Sequence, residues 1–392
     1  MVKKYFERYF LNTYNRYNVI FVKGNNQYLF DEKGKKYLDF FCGLAVTNLG
    51  HINHILLKAL KRQASSLWHC SNLYYSYPQL KLAKELIKLT FPSKVFFSNS
   101  GAEANECAIK LVRKYGSLYD KYEIITFKNS FHGRTLATLS ATGQEKFHKG
   151  FEPLVDGFKY AEFNNIFSVK KLINKKTIAI MIEPIQGEGG INVADVNFLK
   201  QLRDICDENG LILIFDEIQT GFGRTGEMFA FNYYGVKPDI ITLAKGISNG
   251  LPLGATLVDI KYSKVFNYGD HGSTFGGNLI SCAVACEVLK QIDKKLLNNV
   301  KIIGKYLLEK LNQLKSKYNF IKSVRGVGLM LGMELTFPAR EVVELCLKKG
   351  LVLNVVQEKV IRFLPPLIIK KVDVDYAIDI LDYVFKRYDR RN

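Results

Sequence analysis

The 392-residue chain carries 56 Lys+Arg against 37 Asp+Glu, a formal charge of +19 at pH 7, with 47% apolar and 24% charged residues. Such values belong to a globular chain and exclude wholesale disorder; no apolar run is long enough to span a bilayer. The lysines are scattered from Lys3 to Lys386 with no basic block beside stacking aromatics, which argues against nucleic-acid binding.

Seven cysteines without a CxxC pair, and a charged MVKKYFERYF where a secretory signal would need an apolar stretch, point to reduced thiols in a cytoplasm. Within residues 1–60, the run QYLFDEKGKKYLDF alternates on either side of Glu32-Lys33-Gly34 and predicts a hairpin. Further on, short apolar runs alternate with amphipathic ones. Val95–Phe97, Glu123–Phe127, Thr177–Ile182, Leu211–Phe215 and Asp239–Leu243 read as buried strands, and Ala102–Tyr115 and Val196–Asn209 as helices. Asp195 is placed to cap the second helix and Gly210 to stop it. Cys282 and Cys286, four apart on a helical stretch, read as core residues.

This alternation predicts an α/β fold with a mainly parallel sheet covered on both faces, whose ligands sit at the carboxyl ends of the strands. The expected division is a large domain over 61–285 and a smaller α+β domain assembled from 1–60 and 286–392.

Taken in order, the strand ends carry the chemistry. The first, Ser98-Asn99-Ser100-Gly101, opens a helix whose free N–H groups suit a dianion; it is neither a Walker loop nor a GxGxxG turn, and alone it could be a capped helix. The second offers Phe131, an aromatic face for a planar ligand, His132, which alone reads as a hydrogen-bonded loop residue, and Arg134, a fork for a carboxylate. The third carries Glu183 and Glu188 in EPIQGEGG. The fourth delivers Asp216 from five apolar residues, followed by Gln219. An aspartate there must be paired, hydrogen-bonded or protonated; a metal site lacks companion ligands. The fifth ends at Lys245. An aspartate and a lysine on successive strand ends suit a phosphorylated pyridine aldehyde, Lys245 forming the Schiff base and Asp216 keeping the ring nitrogen protonated.

The set SNSGAEANE, FHGRT, EPIQGEGG, DEIQTGFGRTG, LAKGISNGLPLGA and HGSTFGGN resembles the class III (subgroup II) pyridoxal-phosphate aminotransferases, from NTYNRYNVIFVKG to IRFLPPL. The resemblance implies a fold-type I transferase that uses pyridoxal 5′-phosphate and no metal. Ser100, Gly101 and Ala102 would hold the phosphate, Phe131 would stack on the ring, Asp216 would pair with its nitrogen and Gln219 would reach its phenolic oxygen. Lys245 would be the covalent partner and proton carrier. It further implies a homodimer in which Thr274 reaches a phosphate across the interface, with Ser273 at the same edge.

For substrates, the resemblance assigns Arg134 to the distal carboxylate of glutamate or the α-carboxylate of N2-acetylornithine. Arg362 would take glutamate's α-carboxylate, Glu188 would mask Arg362 when it is free, and Tyr14 would join the substrate set. An aliphatic Leu44, where a tyrosine would suit a free α-amine, favours an N-acyl substrate. The implied reaction exchanges the δ-amino group of N2-acetylornithine with 2-oxoglutarate and glutamate, toward arginine. Succinyl-diaminopimelate, succinylornithine and ornithine are the alternative substrates. A binding protein that merely kept the fold is disfavoured by intact Lys245, Asp216 and Arg134.

Overall fold

The computed structural model describes residues 2–389. Its centre is a seven-stranded sheet in the order Ser93–Ser98, Gly254–Asp259, Ile240–Leu243, Ile212–Asp216, Thr177–Ile182, Glu123–Phe127, Phe158–Ala161. Only Gly254–Asp259 runs antiparallel to its neighbours; the rest are parallel.

The apolar runs are continuous because both faces are covered. Along the strand ending at Asp216, Leu213 and Phe215 join one core while Ile212 and Ile214 join another, as the two-residue period of a strand requires. Asp216 shares its parity with Ile212 and Ile214. Its carboxylate therefore emerges on the face covered by the helix Gly101–Gly116, which also contributes Ile109 and Val112 to that core.

Val196–Asn209 is a helix over the expected residues, stopped by Gly210 at φ +62°; a left-handed residue there ends a helix without a Cβ clash. Asp195 occupies the capping position, but its side chain caps nothing. The hairpin Tyr28–Asp31 with Lys36–Asp39 turns where expected. Cys282 and Cys286 are buried on the helix Leu279–Gln291.

The two ends of the chain meet through the backbone. Leu351–Val352 pairs in parallel with Leu38–Asp39, and Leu38 and Phe40 pack in one core with residues from Val300 to Phe385. A second four-stranded sheet, Ile321–Val327, Met330–Leu335, Val360–Phe363 and Asn354–Val356, carries Arg362. Arg224, wholly buried, fastens this part to the large sheet by donating to the carbonyls of Leu329 and Pro365 and to Asn48. Burial lowers its pKa to about 10. Among the described residues, no helix is long and apolar enough to cross a membrane.

Candidate active site

The strand ends, the helix terminus of Gly101 and the segment of Gly250 to Leu253 line a cavity of about 420 Å³. Ser100, Gly101, Ala102, Phe131, Arg134, Glu188, Asp216, Gln219 and Lys245 all line it. One cavity thus gathers residues that lie up to 145 positions apart in the chain.

At the helix terminus, the Ser100 side chain accepts from Glu103 N, while the first N–H groups, those of Gly101 and Ala102, are not used by the helix itself. A Cβ at Gly101 would come within 2.7 Å of Ile218 Cδ1, so a larger residue there would have to push that side chain aside. The terminus therefore offers backbone donors to an anion at close approach.

Asp216 is 3% exposed. Its Oδ2 accepts from Asn105 Nδ2 and lies against His132 Nδ1, each at 2.8 Å, and its Oδ1 accepts from Ile218 N at 3.1 Å. These partners fix the carboxylate and leave acceptor capacity open toward the cavity. Asn105 carried no sequence signal of this role, and His132, read as a loop residue, is bonded to the site's central acid. Buried His132 Nε2 and Asn105 Oδ1 have no partner among the described residues.

Lys245 follows the strand Ile240–Leu243 with φ +46°, a conformation non-glycine residues seldom adopt outside functional positions. Burial pushes its pKa below the ordinary value, against the pull of Glu188 and Asp216. A larger fraction of the amine is then neutral and nucleophilic near neutrality.

Glu183 accepts from Phe131 N at 2.9 Å and from Gly187 N at 3.4 Å. It thereby joins the loop under the aromatic ring to the loop of Glu188. Burial, and then neighbouring Asp216, raise its pKa well above the usual carboxylate range.

Behind Glu188 and Gln219, Arg362 is 0% exposed. Its Nη1 lies 2.7 Å from Glu188 Oε1 and 3.2 Å from Gln219 Oε1, its Nε donates to Asn354 Oδ1 at 3.2 Å, and buried Nη2 has no partner among the described residues. Burial alone would raise the Glu188 pKa, but Arg362 and then Lys245 hold it below its ordinary value. The pair is therefore ionised, with one guanidinium nitrogen unspent. Arg134 is exposed at the rim, its guanidinium 4.1 Å from the Phe147 ring centroid and 5.5 Å from that of Phe131.

Five expected residues do not line this cavity: Arg362, which stands behind Glu188 and Gln219, and four others. Thr274 is exposed and lines a separate small crevice with Asn72 and Gln79. Ser273 Oγ accepts from Asn99 Nδ2 and Gly276 N, one contact away from the cavity wall. Tyr14 is 73% exposed, stacked only by Arg16. Leu44 does not line the cavity either; Val46 does. Leu44 sits in a left-handed run over Cys42–Ala45, with φ of +51°, +57°, +72° and +60°.

A bound phosphopyridine fits what is present: free amides for the phosphate, a ring face at Phe131, an anchored carboxylate for a protonated ring nitrogen, and a neutral-leaning amine. Strand-end aspartate, strand-end lysine and phosphate-type helix terminus on one mainly parallel sheet define a fold-type I pyridoxal-phosphate transferase. The class-III aminotransferase family matches residues 9–385. The acetylornithine aminotransferase of Methanocaldococcus jannaschii is 50% identical over 384 residues, covering 97% of this chain and 96% of the relative. That of Aquifex aeolicus is 50% identical over 377 residues, covering 95% and 98%.

Among solved structures, N-acetylornithine aminotransferase from Stenotrophomonas maltophilia aligns with a TM-score of 0.86 at 34% identity, covering 99% of this chain and 100% of that one. Ornithine aminotransferase from Toxoplasma gondii aligns at 0.96 and 30%, covering 100% and 96%. The chain belongs to the class-III aminotransferases, and its cofactor is pyridoxal 5′-phosphate.

Proposed function

We propose that this enzyme transfers the δ-amino group of N2-acetylornithine to 2-oxoglutarate, yielding N-acetylglutamate 5-semialdehyde and glutamate, and runs the reverse toward arginine. The observation that carries this reading is the 2.7 Å ion pair between Arg362 and Glu188, a residue that lines the same cavity as Lys245. Nearly full-length similarity to acetylornithine aminotransferases supports it.

Two amino donors of different geometry must use one cavity. Glutamate brings its α-amine to the reacting centre and so carries a carboxylate beside it. N2-acetylornithine brings its terminal amine, with only methylenes nearby. Glu188 neutralises buried Arg362 in the second case and yields it to the substrate carboxylate in the first, because a buried charge without a partner is costly. Arg134 takes the far carboxylate of either donor.

Pyridoxal phosphate, when bound, supplies an electron sink and a carrier for the amino group. Gly101 and Ala102 hold its phosphate, and Phe131 covers its ring. Asp216, fixed by Asn105 and His132, keeps the proton on the ring nitrogen. Lys245 would be the cofactor's covalent partner, and its amine, freed in exchange for that of the amino donor, would carry the proton at the substrate carbon.

The enzyme works in the cytoplasm as a homodimer, on this reading, with Thr274 completing the phosphate site of the other protomer. Supporting this, Thr274 stands outside its own chain's cavity. It adjoins Phe275 at 62% exposure, on a surface with Tyr74 at 69% and Tyr75 at 106%; so much exposed aromatic area asks for cover. The substrate assignment is tested by kcat/KM over N2-acetylornithine, succinylornithine, succinyl-diaminopimelate and ornithine. The expected order puts an N-acylated donor first, and preference for free ornithine would overturn it.

A further inference from the structure

We infer that Gln357 is a positioning residue for substrate choice: from the turn before the Arg362 strand it holds the Glu188 carboxylate in register with Arg362. The inference rests on the two-donor reading above.

Gln357 and Glu358 open the turn Gln357-Glu358-Lys359 between Asn354–Val356 and Val360–Phe363, with φ +49° and +59°. Glycine and asparagine are the residues that fill such positions readily. Both residues here are larger, and the first spends its side chain on three contacts. Its Nε2 donates to the backbone carbonyl of Glu188 at 2.9 Å and to Gln144 Oε1 at 2.8 Å, and its Oε1 accepts from Lys146 Nζ at 3.3 Å.

The two ends of this bridge are the two carboxylate-binding walls. On one side is the backbone of Glu188. Arg325 holds the next turn of that loop, donating to Gly190 O at 2.7 Å, while Gln357 reaches the backbone carbonyl of Glu188. On the other side is the segment of Gln144 and Lys146, which carries Phe147. The ring of Phe147 supports Arg134 and meets Phe131 edge-on at 5.8 Å. One amide thus ties the mask over Arg362 to the platform under Arg134. Because both termini of the bridge are loop residues, no sheet pairing would restore their spacing if it were lost.

Loss of the bridge lets Glu188 leave Arg362 more readily, which favours a donor bringing its own carboxylate and penalises one that does not. Gln357→Met keeps length without the amide, and Gln357→Gly removes the side chain while relaxing the left-handed backbone. The probe is glutarate, a five-carbon dicarboxylate with no amino or keto group, titrated calorimetrically into the cofactor-loaded enzyme.

Both variants are expected to bind glutarate about five-fold tighter, the worth of one hydrogen bond. The KM for N2-acetylornithine should rise by a similar factor, the change falling on KM rather than kcat. In a Glu188→Ala background Gln357→Met should add nothing. Thermal midpoints separate this from a folding defect, since Gln357→Gly should melt no lower than Gln357→Met. A change in glutarate affinity below two-fold in both variants, or an equal increment without Glu188, would overturn the inference. If the unmodified enzyme fails to use N2-acetylornithine at all, the substrate reading fails, while the glutarate titration still judges Gln357.

Discussion

Replacing Glu188 by alanine should split the two half-reactions. Among the described residues, Glu188 is the only carboxylate paired with Arg362, whose side chain is 0% exposed; that of Glu188 is 26% exposed. Breaking a fully buried pair costs about 3–5 kcal/mol. Partial access of water to Glu188 brings this case below that range, to about 2 kcal/mol, or roughly thirty-fold in affinity. Gln219 and Asn354 would remain on the guanidinium, but neither carries charge. With N2-acetylornithine bound, nothing replaces the lost carboxylate and the cost is felt in full. With glutamate bound, the substrate carboxylate occupies Arg362, and the work of displacing Glu188 disappears. The ratio of single-turnover efficiencies, glutamate over N2-acetylornithine, should therefore rise by about thirty-fold. Stopped-flow absorbance of the loaded enzyme with each donor in turn measures it. Equal losses for both donors would refute the reasoning and leave Glu188 a structural acid.

Lys245→Ala leaves no amine to hold the cofactor, so borohydride reduction and mass spectrometry should fix none on the chain; a cofactor-bearing peptide from the variant would exclude Lys245. Asp216→Asn should slow both half-reactions by about 3 kcal/mol, roughly a hundred-fold, as loss of a preorganised charge does; near-native rates would reduce Asp216 to a fold residue. Because burial lowers the Lys245 pKa, its amine deprotonates earlier as pH rises. Covalent uptake of cofactor by the apoenzyme should accordingly reach half its maximum below pH 10.5, the ordinary value, and lower still in Glu188→Ala, which removes a neighbour that raises it. A midpoint at or above the ordinary value would contradict the assignment. Co-expressed Lys245→Ala and Thr274→Ala chains should form mixed dimers with one intact site and about half the native activity; activity equal to the mean of the two parents would exclude sharing across the interface.

Much of the fold is legible because its signals are local. Five strands read from apolar runs fall within a residue or two of where they form, since a strand buried on both faces needs no partner to be recognised. Val196–Asn209 is bounded by a residue, Gly210, whose backbone state only glycine adopts cheaply. The cavity's chemistry is legible for a related reason: strand ends in such a sheet point to one crevice, so Asp216 and Lys245 must be near one another.

What escaped depends on contacts between distant segments. Asn105 lies on a helix that was expected, but nothing along that helix announces a bond to Asp216, 111 residues away. His132 alone resembles any loop histidine until the strand of Asp216 is beside it. Arg224 and Gln357 join segments 141 and 213 residues apart in the chain. Leu44, whose aliphatic side chain favours an N-acyl substrate, lies in the left-handed run Cys42–Ala45, and from this segment Val46 lines the cavity. Tyr14 was expected in the substrate set, and its side chain lies in solvent.

The most direct measurement follows the nitrogen. N2-acetylornithine labelled with ¹⁵N at the δ-amine is incubated with the loaded enzyme and unlabelled 2-oxoglutarate, and the glutamate formed is isolated for mass spectrometry. Transfer through this site predicts glutamate carrying the label at its α-nitrogen, in amount equal to the semialdehyde produced. Glutamate without label, or no glutamate from an enzyme that holds its cofactor, would contradict the account.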